Sequence, residues 1–345
     1  MSRRSRTPQP WWVQLAQGEL LDTRICDLGL QIEGTALETR VQRLWSELRE
    51  AGFKRLRPYV WLSTDWFTPD GLTGFAIPFF LAHPRLARLE ARHMLEVEGG
   101  EHEWCMKLLR HEAAHAVDNA YRLRRRKRWR EVFGRPSKRY SSEYVPRPLS
   151  REFVLNLDYW YSQSHPLEDW AETFSVWLQP RSQWRMRYDG WPAMKKLEFV
   201  DELVAEIGDA PPKVRTRSRP DSLSKLRLTL REYYRQKQAV YADDHTTEYD
   251  EPLQRIFSGD PMFAHRERAT RFLIRHYNGL RNRVASITGQ HPYLIKQVFN
   301  ELLRRCGSLN LRLTRPPAES RVDVAVLLTT LTMTFLYGGH SEYRR

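Results

Sequence analysis

Cysteine is scarce in this 345-residue chain, and Cys26, Cys105 and Cys306 lie far apart with no CxxC among them. That argues against a cysteine zinc site and a disulfide framework. It leaves buried free thiols in a reducing, cytoplasmic setting as the expectation. Long apolar runs are missing too. The most apolar stretch, VAVLLTTLTMTFLY at 324–337, carries four threonines, and at about 14 residues it falls short of the ~20 that a bilayer span needs. A buried C-terminal helix or strand is expected there. The basic opening MSRRSRTPQPWW is followed by no apolar signal-peptide core. There is no glycine-rich phosphate loop, heptad pattern, internal repeat, zinc-finger spacing or aromatic RNA-binding motif.

What the chain has in excess is positive charge: 56 Lys and Arg against 42 Asp and Glu, a formal balance of +14. Such a balance favours anionic partners, whether nucleic acid, an acidic membrane surface or an acidic peptide, and does not choose among them. Hydrophobic residues at 41% and charged residues at 28% describe a soluble globular protein of about two domains. Twelve tryptophans point to cores built around large rings.

Periodicity gives the layout. Residues 1–17 read as a basic arm. Leu37, Val41, Leu44, Trp45 and Leu48 follow helical spacing. PYVWLSTDW and GFAIPFFLA read as strands around a turn at Thr68–Gly71, and Pro78 marks the second as an edge strand. After Gly99 and Gly100, one long helix is expected from Glu101 to Arg130. Pro166 opens another that runs to Leu178. DAPPKVRTRSRPDS, at 209–222, sets prolines and serines among basic residues with almost no apolar pattern, and is read as the linker. The chain is thus divided into the arm, a domain at 18–208, the linker, and a mainly helical domain at 223–345.

The sharpest signal is HEAAH at 111–115. On a helix, positions four apart share a face, so His111 and His115 can hold one zinc ion while Glu112 acts as general base on the water. A catalytic zinc usually takes three protein ligands and keeps one position open. HPLEDWAETF supplies Glu168 and Glu172, again four apart. Glu168 is the expected third ligand, and Glu172 the acceptor for the free nitrogen of a metal-binding histidine. Asp118 is a second candidate for that acceptor role. His165 is the alternative third ligand, whereas the metzincin spacing would put a histidine where Tyr121 stands.

RHEAAHAVDNAYRL, with WYSQSHPLEDWAETF some fifty residues later, resembles the gluzincin pattern. In particular it resembles a bacterial family of zinc-binding metallopeptidases and the catalytic domain of anthrax lethal factor. The similarity covers roughly residues 55–205, and the loop between the two segments differs in length and composition. It does not extend to the C-terminal third. The resemblance implies an α+β, zincin-like domain with a small mixed sheet, an edge strand and an active-site helix. It implies Glu168 rather than Glu172 as ligand, since Tyr161, Ala171 and Glu172 keep the family's offsets from it, and it gives Tyr161 a role in stabilising the oxyanion. An extended peptide substrate would pair with the edge strand at Gly74, Phe75, Ala76 and Ile77.

The expected function is therefore zinc-dependent cleavage of peptide or other amide bonds. The basic run from Arg122 to Arg130 reads either as a solvated helix face or as a guide for an acidic substrate. The competing readings are a nucleic-acid-associated basic protein with an accessory or structural zinc site, and an inactive zincin scaffold. The intact Glu112 speaks against the scaffold.

Overall fold

The computed structural model describes residues 9–94, 97–140, 147, 150–242, 249–288 and 292–337. Helices dominate. They are α1 (Gln17–Leu21), α2 (Ala36–Glu50), α3 (Pro84–Met94), α4 (His102–Tyr121), α5 (Lys127–Phe133), α6 (Pro166–Leu178), α7 (Trp184–Arg187), α8 (Met194–Ile207), α9 (Leu230–Ala242), α10 (Asp250–Gln254), α11 (Ala269–Thr288), α12 (Pro292–Ser308) and α13 (Pro317–Tyr337). Strands are few: β1 (Tyr59–Ser63) with β2 (Gly74–Pro78), and the short pair β3 (Phe257–Ser258) with β4 (Arg312–Leu313). The class is α+β, mostly helical. The chain divides after Ala242 into two compact units.

In the first unit the apolar stripe of α2 buries Leu37, Val41, Leu44 and Leu48, and Thr35 caps the helix by accepting Leu37 N–H at 3.2 Å. β1 and β2 pair in parallel from Tyr59↔Gly74 to Ser63↔Pro78, a two-stranded parallel pair rather than the small mixed sheet expected. Gly74 is required at the first pair, because a Cβ there would lie 2.3 Å from the Tyr59 carbonyl oxygen.

Three boundaries differ from the sequence reading. Residues 9–17 are not a loose arm: Trp12 is buried, its Nε1–H donates to the Leu28 carbonyl at 2.8 Å, and its ring meets His83 edge-on. Residues 1–8 lie outside the described residues. The helix expected over 101–130 ends at Tyr121, where Arg122 takes the left-handed conformation (φ 54°). Asp118 Oδ1 then accepts Arg124 N–H at 2.7 Å, and Leu123 is drawn into the core. Burying Leu123 and satisfying Asp118 outweigh helical continuation.

The third difference concerns the linker. Residues 209–229 belong to the first unit, held by polar contacts that leave no apolar periodicity. Lys213 and Val214 N–H donate to Ala120 O, and Ile25 and Cys26 N–H donate to Leu228 O and Leu226 O. α9 follows with Leu230, Tyr233 and Tyr234 buried.

The second unit packs α10–α13 around Phe257, Phe272, Leu273, Phe299, Leu302 and Leu328. The apolar stretch at 324–337 lies on α13, which buries Val324 and Leu328 but leaves Val322 and Val326 exposed. Among the described residues no helix is long and apolar enough to cross a membrane.

Candidate metal centre

Helices α4 and α6 meet through small side chains. Ala113, Ala114, Ala116 and Ala171 are fully buried, and Trp170 Nε1–H donates across to the Ala114 carbonyl at 2.9 Å. Alanines bring the backbones close, so longer polar side chains from each helix can reach one another. α6 starts where it does because His165 caps it: Nδ1 accepts Leu167 N–H at 3.1 Å, Nε2 bonds the Lys138 carbonyl at 2.8 Å, and Pro166 fills the first helical position. With both ring nitrogens engaged, His165 is not placed as a ligand.

Three acceptor atoms converge. His111 Nε2 lies 3.0 Å from Glu168 Oε2, His115 Nε2 lies 3.3 Å from the same oxygen, and the two Nε2 atoms are 3.2 Å apart. A carboxylate only accepts, so the 2.8 Å contact from His111 Nδ1 to Glu172 Oε1 puts a proton on Nδ1 and turns a lone pair at Nε2 towards its neighbours. Lone-pair atoms at such distances require a proton or a cation among them. Burial disfavours a charged His111, but its hydrogen bonds to Glu168 and Glu172 outweigh that and push it up to about 10. Burial would likewise raise Glu168, yet the facing His115 and His111 rings hold it well below its ordinary value. Ligand atoms ~2.0–2.2 Å from a tetrahedral ion stand roughly 3.3–3.6 Å apart. The triangle is close to that size, so His111, His115 and Glu168 could hold one metal ion with a fourth position open.

Around this triangle the expected roles separate. Glu172 is fully buried and spent: Oε1 accepts from His111 Nδ1 and from Asn156 Nδ2 at 2.8 Å, and Oε2 accepts Leu157 N–H at 2.7 Å. It orients His111 and has no free edge for a metal. Asp118 bonds neither histidine, because its carboxylate is paired with Arg124. Glu112 is buried, which raises its carboxyl above the ordinary value, and its Oε2 accepts from the Thr68 hydroxyl at 2.7 Å. Tyr161 sits on the 3-10 turn Asp158–Gln163, its ring 5.6 Å from that of His111. The turn is strained at Trp160, held at φ 53°.

Gly74, Phe75, Ala76 and Ile77 are buried in β2, and Ala76 N–H already donates to Phe67 O at 2.8 Å, across an antiparallel bridge. One main-chain donor of the expected substrate edge is therefore taken by the chain itself.

Two neighbours had no sequence signal. Thr68 reaches Glu112 from the β1–β2 connection. Tyr140 donates its hydroxyl to Glu168 Oε1 at 2.8 Å while stacking on His165 at 3.8 Å.

Four of the seven cations in the basic run after the site are paired. Arg124 pairs with Asp118 and Asp70, Arg126 with Glu206, Lys127 with Glu131 and Arg128 with Glu202. No family model, no curated protein and no solved structure matches this chain.

Proposed function

We propose that the chain is a zinc-dependent metallopeptidase of zincin-like fold, with His111, His115 and Glu168 as ligands. The observation that carries this reading is the convergence of His111 Nε2, His115 Nε2 and Glu168 Oε2 within 3.0–3.3 Å, with buried Glu112 between the two histidines in sequence. Two imidazoles and a carboxylate are a borderline donor set that suits zinc. The chemistry the ion would supply is acidification of water and polarisation of the scissile carbonyl.

The side chains then divide the work. Glu112, raised by burial and oriented by Thr68, accepts a proton from the attacking water and returns it to the leaving amine. Tyr161, half-buried beside His111, donates to the developing oxyanion. Glu172, Asn156 and Leu157 N–H fix the His111 tautomer, and Tyr140 fixes the outer oxygen of Glu168. The three free cysteines suit a reducing, cytoplasmic setting.

The test is elemental analysis of purified protein together with cleavage of an unbiased peptide library. One zinc per chain is expected, lost in His111→Ala and His115→Ala. Glu112→Gln should keep the zinc and lose about 10²- to 10⁴-fold in turnover. A double histidine variant that retains its zinc would remove the site. A zinc-loaded wild-type chain that cleaves no peptide would leave the site standing and remove the peptidase.

A further inference from the structure

Two basic stretches of the first unit differ in their surroundings. In 122–130 the charges at Arg124, Arg126, Lys127 and Arg128 are answered by the protein's own carboxylates. In 213–227 the cations Lys213, Arg215, Arg217, Arg219, Lys225 and Arg227 share their stretch with one acid, Asp221. All six are exposed, and among the described residues none has an ion-pair partner. The stretch 213–227 thus carries six exposed cations without an ion pair among the described residues, whereas four of the seven in 122–130 are paired.

The segment is also held in place. Lys213 and Val214 N–H donate to Ala120 O at 2.8 and 3.1 Å. Tyr59 Oη donates to Ser218 O at 2.7 Å and accepts Ser218 N–H at 2.9 Å. Trp61 Nε1–H donates to Pro220 O, and Ser63 Oγ–H to Asp221 O. From 214 to 219 the backbone runs without helix or turn. Arg217, Arg219 and Lys225, with Tyr59 and Ser222, line an open recess of about 370 Å³ that contains no acidic side chain. A backbone already ordered by its own contacts loses little entropy when a ligand docks, so its charges work at low cost.

We propose that this strap is a docking site for an acidic segment of a polypeptide. Its cations recur at alternate residues, Lys213, Arg215, Arg217 and Arg219. In an extended chain alternate side chains recur every ~6.6 Å, and carboxylates at alternate positions of an extended acidic peptide repeat at the same interval. Guanidinium forks take carboxylates in bidentate fashion. A single-stranded nucleic acid would need aromatic faces for its bases. The one ring lining the recess, Tyr59, is 9% exposed with its hydroxyl committed to Ser218, and Arg217 lies over it. That the acidic segment belongs to a substrate rests on the peptidase reading; that it binds the strap does not.

The test uses the full chain carrying Glu112→Gln, so binding is read without turnover. A fluorescent peptide of alternating glutamate and serine should bind at low salt and weaken as salt rises, while its glutamine counterpart should not bind. Replacing Arg215, Arg217 and Arg219 together by glutamine should weaken binding about tenfold or more. Replacing Arg126 and Arg128, already paired with Glu206 and Glu202, should change it less than twofold. The proposal is overturned if the strap variant binds as well as its parent, or if the glutamine peptide binds equally. It is also overturned if an oligonucleotide binds the strap more tightly than the acidic peptide. Hydrolysis by the wild-type chain enters none of these readings, so either proposal can fall alone.

Discussion

The two units have opposite cores. The first buries Glu47, Arg110, His111, Glu112, Asp118, Glu168, Asp169 and Glu172. Among the described residues of the second, the buried polar side chains are Ser320 and Thr332, hydroxyls that donate to the carbonyls of Arg315 and Leu328. Removing a charge from water costs several kcal/mol unless partners replace the water. A fold made for packing alone has no reason to bear that cost, and the second unit does not. The first bears most of it along α4 and α6, and again where Glu90 on α3 meets Lys237 on α9 at 2.7 Å, and in each place a neighbour answers the charge. Arg110 is held by both oxygens of Glu47 at 2.8 and 3.0 Å, and Asp169 is held by Lys196 at 2.7 Å. What the contrast teaches is that buried charge in this chain is local and is answered by partners wherever it occurs.

The strongest way to break this contrast is to strand a buried charge. Glu47→Ala leaves Arg110 unpaired inside the protein and should destabilise the first unit by about 3–5 kcal/mol, read by denaturant unfolding. The second unit's transition should not move. Equal shifts in both would mean that the two cores do not unfold separately. Metal removal comes next. At a free zinc concentration about 100 times Kd, chelation should lower the first unit's stability by about 2.7 kcal/mol. Calorimetry should show one transition moving and the other fixed.

Smaller effects sharpen the assignment of roles. Glu172→Ala should weaken zinc affinity by about 10- to 100-fold, as loss of a histidine's supporting carboxylate does, whereas Glu168→Ala should abolish tight binding. Competition with a chromogenic chelator separates the two, and the reverse order would exchange their roles. Tyr140→Phe removes one partly exposed hydrogen bond to Glu168 and should cost about 0.5–1.5 kcal/mol of zinc affinity. Smallest of all, Thr332→Val in the second unit should alter stability by less than about 1 kcal/mol, because its hydroxyl serves only a helix carbonyl that already has a backbone partner. A large loss there would show that the second core depends on polar order after all.

Local signals in the sequence were readable where chain neighbours decide the outcome. HEAAH lies on a helix because its own stretch favours one, and Pro166 starts α6 at the place its φ suits. The pairing of Glu172 with His111 followed from the need of a ligand imidazole for an acceptor. What could not be read depends on contacts far apart in sequence. The burial of Leu123 breaks the long helix, and Trp12 docks against residues many positions away. Asp118 has helical spacing from the histidines but a better partner in Arg124, which the chain turns back to supply. Thr68 and Tyr140 are ordinary loop residues until the fold carries them to Glu112 and Glu168. The 209–222 stretch lacks apolar pattern because carbonyls and hydroxyls, not side-chain burial, hold it down.

The double hydrogen bond to Ala120 O has a geometric consequence. It fastens the start of the strap to the same helix that carries His115, five residues earlier. A helix is stiff, and five residues advance ~7.5 Å along its axis. The anchor point and the metal centre are therefore set apart by a rigid rod rather than by a tether. A polypeptide engaged at both places would be measured against that rod. The bond it presents for cleavage would lie at a constant offset from its acidic stretch, and moving that stretch along the substrate by a few residues would move the cut with it.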